Sequence, residues 1–441
     1  MTLQTLPKYE TYKNSGIEWL GEIPDSWELT KLGTCLTPVS KKNRADLPLL
    51  SITREQGVIE RDIEDAESNH NFIPDDLSGY KVLEKGQFGM NKMKAWQGSY
   101  GVSKHTGIIS PAYFVFDFAK VIDPIFFNWA IRSKLYVSYF GSASDGVRIG
   151  QWDLSKSRMK AIPFLLPSPE EQTAIAHFLD QKTAQIDAAI AIKEQQIALL
   201  KERKQILIQQ AVTQGLDPTV PMKDSGVEWI GEIPAHWNAI KLAYIAKIDA
   251  GSTPDRSNAK YWGGDIPWIK TGEVNYSTIF ETDEYISKSG LRNSSLRLAP
   301  PDTLLMAMYG QGVTRGRVAI LGIAATYNQA CCGMTFDNSA DVNFAQYFFI
   351  AAYKYIRDEG NESSQMNLSA GYISSLKMVV PPKEEQTILV KFLNVNSGKI
   401  DDAVMLQQQQ IEKLREYKTT LINSAVTGKI RVTSEMVAVS A

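Results

Sequence analysis

The stretch SGIEWLGEIPDSW at 15–27 returns as SGVEWIGEIPAHW at 225–237. Eight of its first ten residues are identical at an offset of 210, and Lys31 and Leu32 recur as Lys241 and Leu242. Working outward, a second pair of stretches repeats at an offset of 214. EEQT at 170–173 returns at 384–387, FL at 178–179 returns at 392–393, ID at 186–187 at 400–401, and AVT at 211–213 at 425–427. A repeat at this scale decides the architecture before any single element is read. The chain is an anchor, a variable block and a helix, written twice, with the second block four residues longer. The blocks between the anchors share little, so one frame carries two different surfaces.

The repeated helices have a defined seam. Steps of four and three from residue 186 select Ile186, Ile190, Lys193, Ile197, Leu200, Lys204, Leu207 and Ala211. The same steps in the second copy select Ile400, Val404, Gln407, Ile411, Leu414, Lys418, Leu421 and Ala425. A mostly apolar seam at 3.5-residue spacing is the pattern of a coiled coil, and polar residues at matched seam positions favour one register over slipped ones. PSPEE at 167–171 and PPKEE at 381–385 suit helix starts, while Gly215 and Gly428 are stop signals. Each helix is expected to run roughly 40 residues, about 60 Å at 1.5 Å per residue. That is long for packing inside one small domain. The two helices are therefore expected to pair antiparallel about a pseudo-two-fold axis, as a spacer between the blocks. The expected division is 1–166 for the first block, 167–215 for the central helix, 216–380 for the second block, 381–430 for the distal helix, and 431–441 for a tail.

Each block mixes strand-like runs (112–118, 318–321) with helical ones (124–136, 344–356), which predicts an α/β or α+β globule. Charge in the first block is segregated. Residues 55–84 carry nine acidic and two basic side chains, whereas 85–160 carry eleven basic and four acidic. The basic part holds NKMKAWQG at 91–98, with cations beside amides and an aromatic. Cations position a nucleic-acid backbone, and amide or guanidinium groups read base edges. In the second block, 286–320 carries five basic residues and one acid. YGQGVTRG at 309–316 and GSTPDR at 251–256 are glycine-punctuated polar turns there. Any one such turn is an ordinary solvated loop; their presence in both halves points to nucleic acid. The candidate DNA contacts are Lys92, Lys94, Gln97 and Lys104 in the first block, and Arg256, Lys270, Gln311, Thr314 and Arg315 in the second.

The chain has 47 Lys and Arg against 49 Asp and Glu, so bulk positive charge is excluded as a means of holding polyanions. Three cysteines, two of them adjacent, predict no disulfide framework and a reducing cytoplasm. No apolar run is long enough to span a bilayer, and the N-terminus has no signal-peptide pattern. There is no G-x-x-x-x-G-K-[ST] phosphate loop, no glycine fingerprint for a dinucleotide or S-adenosylmethionine, and no metal-ligand spacing among the four histidines. These absences predict a binding protein with no catalytic residues. A scaffold joining two protein-binding domains, or a self-contained methyltransferase, are the rival readings.

The duplicated anchors and the duplicated EEQT…FL…ID…AVT helices resemble the specificity subunit of type I restriction-modification systems, over nearly the whole chain. Within the blocks, GYKVLEKGQFGMNKMKAWQGSYGVSKHTGIISPAY (79–113) looks like one type of target-recognition domain. AGSTPDRSNAKYWGGDIPWIKTGEVN (250–275), LLMAMYGQGVTRGRVAIL (304–321) and ATYNQACC (325–332) look like another. The resemblance implies two target-recognition domains, each reading one half of a bipartite, asymmetric site in double-stranded DNA. It also implies two modification subunits carrying S-adenosylmethionine and adenine-N6 methylation, and restriction subunits using ATP and magnesium for translocation and cleavage. No cofactor or metal is implied for this chain itself, and no membrane.

Overall fold

The computed structural model describes residues 6–62, 74, 76–146, 152–310, 313–358, 368–433 and 435–436. They form two compact units, residues 1–193 with 409–441, and residues 194–408. The unit boundaries cut through the long helices and do not fall at their ends. The reason is burial: each half-helix packs its apolar face into the block beside it. Residues 431–433, at the start of the expected tail, pack on the first unit. Val432 is buried, and the Arg431 amide donates to the Pro7 carbonyl at 2.8 Å.

In the first unit, four antiparallel strands lie in the order Leu36–Val39, Phe114–Phe118, Phe88–Met90, Tyr100–Val102. Their inner faces and the helices Pro124–Ile131 and Lys134–Ser142 bury an aromatic core that includes Phe88, Tyr100, Phe116, Phe126, Phe127 and Phe140. The expected single helix at 124–136 is two helices. Ser133 caps the second, its hydroxyl accepting from the Tyr136 amide, and the Arg132 guanidinium turns outward to donate to the carbonyls of Tyr100, Arg54 and Glu55 at 2.6, 3.0 and 2.8 Å. Strand Glu28–Lys31 pairs antiparallel with Pro163–Leu166, joining the start of the block to its end just before the central helix.

The second unit repeats the frame around a different block. Asn238–Lys241 pairs antiparallel with Lys377–Val380 in the role of the closing pair. The block itself is a five-stranded sheet in the order Ala246–Ala250, Cys331–Phe336, Leu304–Ala307, Val318–Leu321, Thr278–Ile279, with only the last pair parallel. Helix Val342–Ala351 packs against it, and a three-stranded sheet built on Trp262–Ile269 flanks it. Mixed, mostly antiparallel sheets with helices on one side make each block α+β. The three cysteines are unpaired and buried.

The long helices are Pro169–Gln214 and Lys383–Val426, 46 and 44 residues. All sixteen seam positions are buried or half-buried. In the first unit the central and distal helices run antiparallel: Asp187 meets Lys418 at 2.7 Å, while Lys193 meets Gln410 further along. In the second unit Lys204 meets Asp401 at 2.7 Å, and Ile208, Ala211 and Val212 share a core with Leu389 and Leu393. Three of the four polar seam residues, Lys193, Lys204 and Lys418, thus reach named partners on the facing helix, which favours one register.

The EEQT repeat has a physical explanation. Gln172 is buried; its Oε1 accepts from the Asp123 amide at 2.7 Å, and its Nε2 donates to the Pro167 carbonyl at 3.0 Å. Gln386 does the same for Asp341 at 2.6 Å and Pro381 at 2.8 Å, and also donates to Ser339 at 2.8 Å. Asp123 and Asp341 are the N-caps of the block helices. One buried amide therefore joins the start of each long helix to the start of its block helix, and a buried amide is stable only with its partners present. At the far ends, Gly428 lies against Pro24 and Trp27, and Gly215 lies against Trp237 and Pro234, both with positive φ. Each repeated tryptophan is thus covered by the helix end that arrives from the other copy.

Candidate nucleic-acid interface

In the first unit the turn at 91–97 leaves strand Phe88–Met90. Asn91 is buried; its Nδ2 donates to the Tyr113 hydroxyl at 3.0 Å, and its Oδ1 accepts from the Met93 amide at 3.2 Å. A 3₁₀ turn, Ala95–Gln97, closes on Gly98 at φ 91°, and Trp96 leans on Trp152 with centroids 5.0 Å apart. On this scaffold Lys92 turns toward Asp153 at 2.9 Å, Met93 and Lys94 are exposed, and Gln97 lines a cleft with Arg132 and Lys134. Lys104 is exposed on a different turn, joining Tyr100–Val102 to Gly107–Ile109, where the Ser103 hydroxyl donates to the His105 carbonyl at 2.6 Å. The structure brings Lys92, Lys94 and Gln97 onto one turn and puts Lys104 on the next. Part of the acidic run at 55–84 lies outside the described residues.

In the second unit Arg256 and Lys270 converge on Glu284. Arg256 Nη1 is 2.5 Å from Glu284 Oε2, and Lys270 Nζ is 3.2 Å from Glu284 Oε1. The Arg256 guanidinium lies 3.9 Å from the Trp262 ring centroid and 4.7 Å from that of Trp268. Contacts of this kind are worth about 0.5–2 kcal/mol each. Arg256, and then Lys270, hold the Glu284 carboxyl below its ordinary range. Three turns meet beside this cluster. The Ser252 amide donates to the Tyr327 carbonyl at 3.0 Å, the Asn328 amide to the Ile269 carbonyl at 3.0 Å, and the Thr271 hydroxyl to Asn328 Oδ1 at 3.0 Å. The Thr253 hydroxyl meets Gln329. Gly251 permits this approach, since a Cβ there would stand 2.1 Å from the Asn328 carbonyl oxygen.

Thr314 and Arg315 belong to a second cluster. Arg315 Nη2 donates to the Arg357 carbonyl at 2.7 Å, and the Tyr353 hydroxyl donates to the Val313 carbonyl at 2.6 Å. Thr314 is half-buried. The turn is thereby braced on helix Tyr353–Asp358. Gln311 lies outside the described residues.

Sequence reasoning missed Glu284, Trp262 and Trp268, whose roles depend on strands that are distant in the chain. It also passed over Asn328 and Gln329 as site residues, although a polar pair between two apolar runs was a usable signal. Among the described residues no group of three or more His, Cys, Asp or Glu could hold a metal ion, and no helix is long and apolar enough to cross a membrane. What these surfaces offer is cations, amides and aromatic faces on rigid turns, the chemistry of positioning and hydrogen-bonded readout.

Residues 234–415 match the family described as type I restriction modification DNA specificity domain. A Methanocaldococcus jannaschii protein assigned as the MjaX type I restriction enzyme specificity subunit is 22% identical over 442 residues, covering 96% of this chain and 98% of that one. The MjaIX specificity subunit of the same organism is 27% identical over 200 residues, 44% of this chain and 45% of that one. The Escherichia coli EcoR124I/EcoR124II specificity subunit is 22% identical over 300 residues, 62% of this chain and 66% of that one. The HsdS subunit from Thermoanaerobacter tengcongensis shares the fold at a TM-score of 0.58 and 15% identity, over 92% of this chain and 98% of that one. A chain from a structure of the type I R-M system does so at 0.67 and 14%, with the same coverage. In sequence along almost its whole length, and in fold, this protein is therefore a match to the specificity subunits of type I restriction-modification systems.

Proposed function

We propose that this protein is the DNA-reading subunit of a type I restriction-modification complex, and that its two blocks each read one half of a bipartite, asymmetric site. The observation that carries the reading is the duplicated frame holding two unlike sets of loops: the same Lys–Asp contact and the same buried glutamine recur around blocks of different topology. One frame with two surfaces suits two half-sites of different sequence. Lys92, Lys94, Gln97 and Lys104 contact the first half-site, and Arg256, Lys270, Gln311, Thr314 and Arg315 the second. Two modification subunits dock on the frames and supply the methyl donor and the pocket for an extruded adenine. Restriction subunits join them for cleavage.

Each mismatched base pair costs about 1–3 kcal/mol, so one half-site alone discriminates modestly. Linking two readers makes the second binding event intramolecular, and only for sites at the matching separation. The helices set that separation. Adding four residues to both helices, about 6 Å each, selects a longer gap between the half-sites while the bases read stay the same. Mapping methylated adenines genome-wide, in cells with the native or the lengthened chain, tests both statements. An unchanged gap defeats the ruler, and methylation that is identical without the protein defeats the whole reading.

A further inference from the structure

Resting on that DNA-reading function, we infer that Arg256 is a base-reading residue for guanine in the second half-site, not a phosphate contact, and that Glu284 is its positioning residue. The support for this is how much of the unit is spent on fixing one half-exposed guanidinium. The Trp262 indole Nε1 donates to the Asp255 carbonyl at 3.2 Å, and the Trp268 Nε1 donates to the Ser252 carbonyl at 3.0 Å. Asp255 Oδ1 accepts from the Ser257 amide at 2.9 Å. The backbone leading to and leaving Arg256 is thus held from both sides. The two indole faces then confine its side chain, and Glu284 takes Nη1 at 2.5 Å. Glu284 itself is fixed through its backbone, whose carbonyl accepts from the Trp268 amide at 2.9 Å.

A phosphate contact requires a net positive charge and tolerates a mobile side chain. Arg256 has the reverse properties. Arg256 and Lys270 are together offset by two carboxylates, Glu284, which both reach, and Asp283, 3.9 Å from Lys270 Nζ, while the planar fork of Arg256 keeps further N–H donors in fixed directions. Rigid donors with little net charge discriminate by hydrogen-bond geometry, and the arginine fork matches O6 and N7 of guanine in the major groove. The cleft beside it, about 390 Å³, is lined by Gly263 and Gly264; a Cβ at Gly263 would meet nothing within 4 Å, so this side stays open to a base edge, whereas Gly264 lets the strand pack closely on the Ile286–Ser287 backbone.

The test uses the full chain assembled with its modification subunits and a pool of random-sequence DNA duplexes from which bound sequences are selected. A salt titration on one bound duplex accompanies it. Arg256→Lys keeps the charge and loses the fork, so a guanine preference in one half-site falls about ten- to hundredfold, with the salt slope unchanged. Glu284→Gln relaxes the same position about tenfold and leaves the other half-site intact. Combining it with Arg256→Lys adds no further loss of preference. Because each readout is a ratio between sequences, a partly unfolded variant does not mimic it. Lys104→Ala is the contrast: it reduces the salt slope by about 0.9 without changing the motif. Retention of the guanine in Arg256→Lys, or a slope loss of about 0.9 in Arg256→Ala with the motif intact, overturns the assignment. A native chain that selects no motif overturns the DNA-reading function along with it.

Discussion

In the first unit Lys418 of the distal helix holds Asp187, and in the second Lys204 of the central helix holds Asp401; each lysine and each aspartate is 214 residues from its counterpart. The loops of the two blocks have no such correspondence. The first block carries its cations on solvent-facing turns, whereas the second locks Arg256 between two tryptophans and a shared carboxylate. The contrast shows where each half can tolerate change. The Lys–Asp contacts of the frame recur but are partly exposed, whereas its glutamine contacts are buried, so altering one of those partners strands the other. Loop residues such as Lys94 and Lys104 face solvent and can be replaced singly. Even within the frames, a supporting contact changes when its neighbours do. Glu385 accepts the Trp237 indole directly at 2.8 Å. The equivalent Glu171 accepts the Tyr9 hydroxyl at 2.6 Å, and Tyr9 packs edge-on against Trp27.

The strongest way to break the comparison is through the buried glutamines. Gln386→Ala strands the Asp341 amide and two carbonyls and costs about 3–5 kcal/mol; Gln172→Ala costs nearly as much. Urea unfolding measures both, and a loss below about 1 kcal/mol in either removes the claim that the frame depends on them. The helix-ending glycines come next and separate the two frames. A Cβ at Gly428 stands 2.4 Å from Pro24 Cδ at φ 70°, whereas at Gly215 the nearest atom is Trp237 Cζ2 at 3.2 Å. Gly428→Ala therefore costs about 3 kcal/mol and Gly215→Ala about 1 kcal/mol, and equal shifts in unfolding midpoint count against the close approach. In the blocks, Arg315→Ala weakens DNA binding by about 1–2 kcal/mol and relaxes choice in one half-site only; equal loss in both, seen by selection from random duplexes, refutes its place in the second block.

The smallest effect concerns pH. Glu284 is held below the usual carboxylate range, first by Arg256. Its folded value lies under its unfolded one, so its contribution is complete above the unfolded value of about 4.3 and is lost as pH falls through the folded value. Because the pair is partly exposed, screening keeps the effect small. Thermal unfolding between pH 6 and 3 reads it as a difference between the native chain and Glu284→Gln that vanishes at the acid end; a difference that grows toward low pH refutes the sign.

Much of the frame was legible. The heptad seam predicted which helix positions turn inward, because burial on one face imposes its period on the sequence. The helix ends followed from glycines, since a residue in the left-handed region is seldom anything else. The buried role of Gln172 and Gln386 was not legible, because a glutamine in a helix looks like a solvent-facing residue until its partners from another element are in place. Lys92, Lys94 and Gln97 fall on one turn because they are close in sequence. The convergence of Arg256 and Lys270 on Glu284 depends on strand pairing between Trp262–Ile269 and Tyr285–Ile286.

By itself, then, the sequence determined the duplication, the two long helices with their seam, and the loops rich in cations and amides, because periodicity and repetition are local or self-referential. Only the tertiary structure decided that each unit takes half of both helices, that each frame tryptophan is covered by the helix end from the other copy, and that Arg256 is locked while other cations are not. Those outcomes come from burying surfaces contributed by distant segments, and no spacing along the chain records which segments will meet.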